Sequence, residues 1–237
     1  MTRRPTATAE SARLTTINLV AAVAFILGGS LFALGAVFAQ LGEVALLTVN
    51  ITYLVGGFFF SLGGYVSILL VVNTGRGDDG RAGTPVLWWR YQPERRDWLS
   101  AAVLFVGTLL FAVSLVAAFA EGLTPRQSDG WIWFPDILGC ICFLVSGHLA
   151  MLEVGGGRVG VHVHALTWWV VAVNQLGSIL FFLAGLAAFV RPATSAAVDA
   201  GLVNWGTFSG AVCFAAGGLL QVLDKPTSTT TVVQNTP

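Results

Sequence analysis

The feature that most constrains this chain is a spacing: a glycine, a phenylalanine four residues later and a small residue seven later. It occurs as Gly28/Phe32/Gly35, Gly56/Phe60/Gly63, Gly107/Phe111/Ser114, Gly139/Phe143/Ser146, Gly177/Phe181/Ala184 and Gly210/Phe214/Gly217. Each copy lies in a different long apolar run. Positions i, i+4 and i+7 share one face of an α-helix. Small residues on such a face let backbones approach closely, which drives association in lipid, where hydrophobicity gives no preference for a neighbouring helix over an acyl chain. The phenylalanine between them can fill the space beside a neighbour's glycine. Six such segments predict an all-α fold, a polytopic membrane bundle of six transmembrane helices built as three similar helical hairpins.

Composition supports a bilayer environment. The 237 residues are 55% hydrophobic and only 10% charged, against roughly 25% charged in soluble domains. Mean hydropathy is +0.78. Twelve basic and twelve acidic side chains cancel, so net charge points to no nucleic acid or acidic partner. Leu19–Ala39 alone provides 21 uncharged residues, enough to cross a hydrocarbon core of about 30 Å. A secretory signal is the rival reading of this run, but its apolar core usually has only about 7–15 residues. This run also carries the same repeat as the other five.

The helices are expected at about 16–40, 49–73, 98–120, 132–152, 166–190 and 203–223, within one membrane domain spanning 16–223. A flexible polar tail is expected over 1–15 and a disordered, Thr-rich tail over 224–237. The longest connection, 74–97, opens with turn formers and continues Leu87-Trp88-Trp89-Arg90-Tyr91-Gln-Pro93. Aromatics mixed with Arg suit the headgroup region. With both termini cytoplasmic, the inner segments hold Arg3, Arg4, Arg13, Arg76, Arg81, Arg90, Arg95, Arg96, Arg158 and Lys225, and the outer loops only Arg126 and Arg191. That asymmetry sets the orientation, because short cytoplasmic loops retain Lys and Arg.

Chemistry-bearing residues are sparse. The polar candidates for a function inside the bundle are Asp136, His148 and Asn174. Asp136 follows Pro135 and is expected one turn from the interface, where it can cap or reach water. His148 is expected near the cytoplasmic side, hydrogen-bonded to a neighbouring helix, and Asn174 to make an interhelical hydrogen bond. His162 and His164 flank one residue in a loop, short of the three or four ligands a metal site needs. Cys140, Cys142 and Cys213 read as small core residues. The chain has no HExxH or Gly-x-Ser-x-Gly, and Gly155-Gly-Gly-Arg158 lacks the strand–loop–helix setting of a phosphate cradle. No cofactor, no metal and no catalytic residue is expected, and the protein reads as no enzyme.

Several blocks carry a resemblance. Trp89-Arg90-Tyr-Gln-Pro93, Gly107-Thr-Leu-Leu-Phe111, Trp133-Phe-Pro135-Asp136-Ile-Leu-Gly139-Cys-Ile-Cys-Phe143-Leu, Asn174-Gln-Leu-Gly177-Ser-Ile-Leu-Phe181 and Gly206-Thr-Phe-Ser-Gly210-Ala-Val-Cys-Phe214 resemble a group of uncharacterised multi-pass membrane proteins common in actinobacteria. The chain resembles proteins with a YrhK-like domain more weakly, since that domain is about one hairpin long. The resemblance implies a bacterial inner-membrane location and no established activity. The expected role is a structural or accessory bundle, with a small-solute transporter or channel as the alternative. The expected partners are the lipid bilayer and other membrane proteins or further copies of the chain.

Overall fold

The computed structural model describes residues 6–74 and 86–224. Residues 1–5 and 225–237 of the expected tails, and 75–85 of the long connection, lie outside the described residues. So do Arg3, Arg4, Arg76, Arg81 and Lys225 of the charge asymmetry.

Among the described residues, six helices are long and apolar enough to cross a membrane: α1 (Thr6–Leu41), α2 (Leu46–Asn73), α3 (Arg96–Ala117), α4 (Pro125–Val154), α5 (Leu166–Ala187) and α6 (Ala200–Leu223). Between α5 and α6 lies a minimal antiparallel ladder, β1 (Val190–Arg191) with β2 (Ala196–Ala197). Each helix packs on the helices before and after it in sequence, and α6 returns to α1. The six therefore close into a ring of three hairpins, α1–α2, α3–α4 and α5–α6.

The helix ends depart from expectation for local reasons. Residues 6–15 are helical, not a flexible tail, because Ala7, Ala9, Glu10, Ala12 and Arg13 are strong helix formers. α4 starts earlier than 132, at a capping box. The Thr124 hydroxyl accepts from Gln127 N–H, and the Gln127 carboxamide oxygen accepts from Thr124 N–H. A π-helical turn over Asp129–Trp133 follows. It precedes Pro135, whose ring and missing N–H a regular helix interior would not tolerate. α5 ends at Ala187 rather than 190, where Val190 pairs with Ala197 instead. α6 begins at Ala200, capped by the Asp199 carboxylate accepting from Leu202 N–H.

Side-chain amides join the helix ends. At the end carrying both termini, Asn18 Nδ2 donates to the carbonyls of Gln221 and Asp224, and Gln221 Nε2 donates back to Asn18 Oδ1. At the opposite end Asn50 Nδ2 donates to Ala118 O and Asn204 Nδ2 to Gln40 Oε1. Asn73, fully buried, binds both backbone groups of Leu87: its Nδ2 donates to the carbonyl at 2.9 Å, and its Oδ1 accepts from the N–H at 3.0 Å. This clamp holds the aromatic segment against α2. There Trp98, buried, packs nearly perpendicular to Trp89 and Tyr91, which are themselves exposed. Asn73→Leu is expected to leave both Leu87 groups unsatisfied and to cost about 2 kcal/mol. Amide exchange at Leu87 reads this directly. Unchanged protection would show that the clamp does not hold the segment.

Candidate functional site

The repeat phenylalanines converge on the axis of the ring. Phe32, Phe111 and Phe181, from the three outgoing helices α1, α3 and α5, form a triangle with ring centroids 6.2, 6.0 and 5.8 Å apart. Phe60, Phe143 and Phe214, from the returning helices, form a second layer, with Phe214 5.3 Å from Phe60 and 6.0 Å from Phe143. Within the hairpins the two layers are joined at 5.3, 5.2 and 5.6 Å. The most exposed of the six, Phe111, has 7% of its surface accessible. Most contacts are edge-to-face or tilted, the arrangement that matches ring quadrupoles and contributes about 0.5–1.5 kcal/mol per pair beyond area.

Glycine makes this convergence possible. A Cβ on Gly56 would lie 2.8 Å from the Phe32 ring, and one on Gly28 2.8 Å from Phe60. The second hairpin repeats the exchange, Gly107 receiving Phe143 at 2.8 Å and Gly139 receiving Phe111 at 2.5 Å. In the third, Gly210 receives Phe181 at 2.9 Å and Gly177 meets Phe214 at 3.2 Å. Each repeat glycine is thus the notch for its hairpin partner's phenylalanine. The third repeat positions lie further along the same seams: Gly35 meets Tyr53, Gly63 meets Phe25, Gly217 meets Asn174 and Ala184 abuts Gly206. Ser146 exchanges hydrogen bonds with Ser100, each hydroxyl donating to the other's carbonyl, and Ser114 is buried. The space inside the plug is only about 10 Å³, at the limit of a single water molecule.

A second small-residue register was missed in the sequence. The residues following the repeat glycines are Gly29, Gly57, Thr108, Cys140, Ser178 and Ala211, all buried. Most of them, and most of the positions seven further on, face the neighbouring hairpin. A Cβ on Gly29 would meet Ala211 O at 2.7 Å, one on Gly57 the Leu115 side chain, and one on Gly218 Ala22 O at 2.9 Å. The α4–α5 seam is the polar one. Trp133 Nε1 donates to Gly185 O at 2.8 Å, and the Cys140 thiol donates to Phe181 O at 3.4 Å. The signal was legible as a small residue at i+1 in all six copies and at i+8 in all but the third, where Leu115 stands, though it does not identify the partner helix.

The polar candidates do not form one constellation. Asp136 lies on the α4–α5 seam between Trp133 and Cys140, its carboxylate facing Gly185 in the last turn of α5. Asn174 lies on the other side of the plug, its Oδ1 over Gly217. His148 is exposed on the outside of α4. Among the described residues the expected hydrogen bond from His148 to a neighbouring helix does not form, because the adjacent Ser146 and Gly147 take the inward face and helical periodicity turns residue 148 away. The expected interhelical hydrogen bond of Asn174 is likewise absent among the described residues, since its carboxamide meets a glycine that offers no side-chain partner. His162 and His164 are exposed in the α4–α5 connection. The described residues contain no group of three or more His, Cys, Asp and Glu able to hold a metal. All three cysteines are free thiols.

Below the plug, toward the end bearing both termini, lies a cavity of about 110 Å³. Phe143 and Phe214 of the lower phenylalanine layer form its roof; Ser100, Ser146, Asn174 and Ser178 supply its polar wall. The axis therefore has a pocket on one side that ends blindly against six aromatic rings. Compared with protein-family models, with curated proteins and with solved structures, the chain matches none.

Proposed function

We propose that this multi-pass membrane protein is a non-enzymatic structural or accessory bundle, acting by packing against another membrane protein or against its own copies. The observation that supports this reading is the plug. Six interlocked rings with about 10 Å³ of free space between them leave no route along the axis for a solute. Alternating-access carriers also tend to hold ionisable groups at mid-membrane, whereas Asp136 is level with the last turn of α5. The excess of Arg in the segments that would be cytoplasmic supports an inner-membrane protein with both termini inside. The residue blocks around Trp89, Gly139, Gly177 and Gly210 are the basis for grouping it with the actinobacterial, partly YrhK-like, membrane proteins.

Affinity capture of the full chain from its native membrane in mild detergent tests this directly. A stoichiometric membrane-protein partner, or a defined oligomer of the chain, is the expected result. Robust solute flux by the purified protein in liposomes would overturn the reading. The alternative, a small-solute path, is favoured by the cavity below the plug. On that reading Asn174→Leu, at the cavity wall, changes a measured flux, and unchanged flux there, as in Asp136→Asn and His148→Ala, removes all three residues from it.

A further inference from the structure

We propose that the axial cavity is a binding site for a small neutral amphiphile, a molecule with one hydroxyl or amide group and a short hydrocarbon part. The argument begins with a break in the threefold pattern. Three residues before the repeat glycine, the outgoing helices carry Phe25, Leu104 and Asn174, all of which line the cavity. In the first hairpin Phe25 fills the notch at Gly63, and a Cβ there would lie 2.8 Å from its ring. In the third, Asn174 covers Gly217. In the second the corresponding notch position is Ser146, which is tied to Ser100 instead. Leu104 therefore has no notch to enter, and space remains beneath Phe143 and Phe214.

The chemistry of the walls selects the ligand. The Ser100 and Ser146 hydroxyls donate to each other's backbone carbonyls, and Ser178 Oγ donates to Asn174 O at 3.0 Å. Their protons are committed, which leaves their oxygens as acceptors. The Asn174 carboxamide makes no hydrogen bond to any other described residue, so it offers both a donor and an acceptor to the cavity. Next to it, Gln175 Oε1 is buried without a partner among the described residues, packed over the cavity-lining Gly147. Unpaired amide groups at membrane depth are costly unless something meets them. Among the described residues no Asp, Glu, Lys, Arg or His lines the cavity, so a charged ligand would find no counter-ion there. A volume of about 110 Å³ far exceeds the roughly 10–15 Å³ that one water needs. A hydroxyl on Asn174 with a few carbons against Phe143 and Phe214 satisfies both halves of the lining.

The test uses the full chain in lipid nanodiscs, with a four-carbon alkanol carrying a diazirine as the probe. After photolysis, adducts are mapped by peptide mass spectrometry. Labelling is expected on the cavity-lining segments around Ser146 and Asn174, suppressed by excess 1-butanol. It should fall about tenfold in Asn174→Leu, which removes the amide, and in Ala150→Phe, which fills the space. Should either variant fail to fold, competition by 1-butanol on the unsubstituted chain still decides. Labelling confined to lipid-facing positions such as Leu176 and Ile179 would overturn the proposal. Cavity labelling that butanol does not suppress, or that persists in folded Asn174→Leu, would overturn it as well.

Discussion

Gly177→Val is expected to force α5 from α6 and lower the stability of the bundle by about 3 kcal/mol, the upper part of the range for overpacking. The two glycines of the third hairpin approach backbone to backbone. A Cβ on Gly177 would lie 2.9 Å from Gly210 O, and one on Gly210 would lie 2.9 Å from Gly177 O. Carbonyl oxygens of packed helices cannot swing aside as a side-chain end can, so both helices must shift. The same shift would withdraw Phe181 and Phe214 from the plug. Gly130, whose Cβ would meet nothing within 4 Å, is the control: Gly130→Ala should stay within about 0.5 kcal/mol. Unfolding midpoints in mixed micelles measure both. Equal midpoints for Gly177→Val and the parent would mean that close backbone approach does not hold this hairpin.

The second large effect is on permeability. Truncating the upper triangle, Phe32→Ala with Phe111→Ala and Phe181→Ala, leaves the lower layer as the remaining barrier. Among the described residues that layer has ring contacts from Phe214 to Phe60 and to Phe143 but none between Phe60 and Phe143. The cavity below is expected to join the opposite face through that gap. Leakage of a small neutral solute from liposomes should rise at least tenfold over the unsubstituted chain, which should not exceed protein-free vesicles. In water a buried Phe→Ala change costs about 3–5 kcal/mol, much of it lost transfer free energy. In a bilayer the separated helices already sit in hydrocarbon, so mainly the packing part is lost. The triple variant is therefore expected to remain assembled, which makes the flux measurement feasible. A conducting parent protein would overturn the plugged-axis reading. A triple variant that stays folded and tight would show that the upper triangle is not needed to close the axis.

Much of the architecture was legible in the residues. The lengths of the apolar runs, the recurring Gly–Phe–small face and the short connection around Gln40–Glu43 within the first hairpin lead to six helices in three hairpins. Boundaries were less legible where local chemistry overrides hydropathy. The Thr124–Gln127 box and the π turn before Pro135 extend α4 well beyond its apolar stretch, and the Asp199 cap starts α6 early. Orientation around each helix was legible only in part. The inward face was marked by the repeat, but the hairpin-to-hairpin face needed the i+1 register. The candidate site was the least legible. Asp136, His148 and Asn174 share polarity but lie at the α4–α5 seam, on the outer surface and beside the axial cavity respectively.

The sequence by itself determined which face of each helix is small and aromatic, because the 3.6-residue period is a property of the backbone and carries over to every run. It could not determine what those faces meet. Gly177 opposite Gly210, Asn18 opposite Gln221 and the triangle of Phe32, Phe111 and Phe181 join residues distant in the chain, and only ring closure brings them together. The cavity has the same origin. Leu104 and Ser146 are ordinary residues in their own helices; they leave space on the axis because the other two hairpins, at equivalent positions, fill theirs.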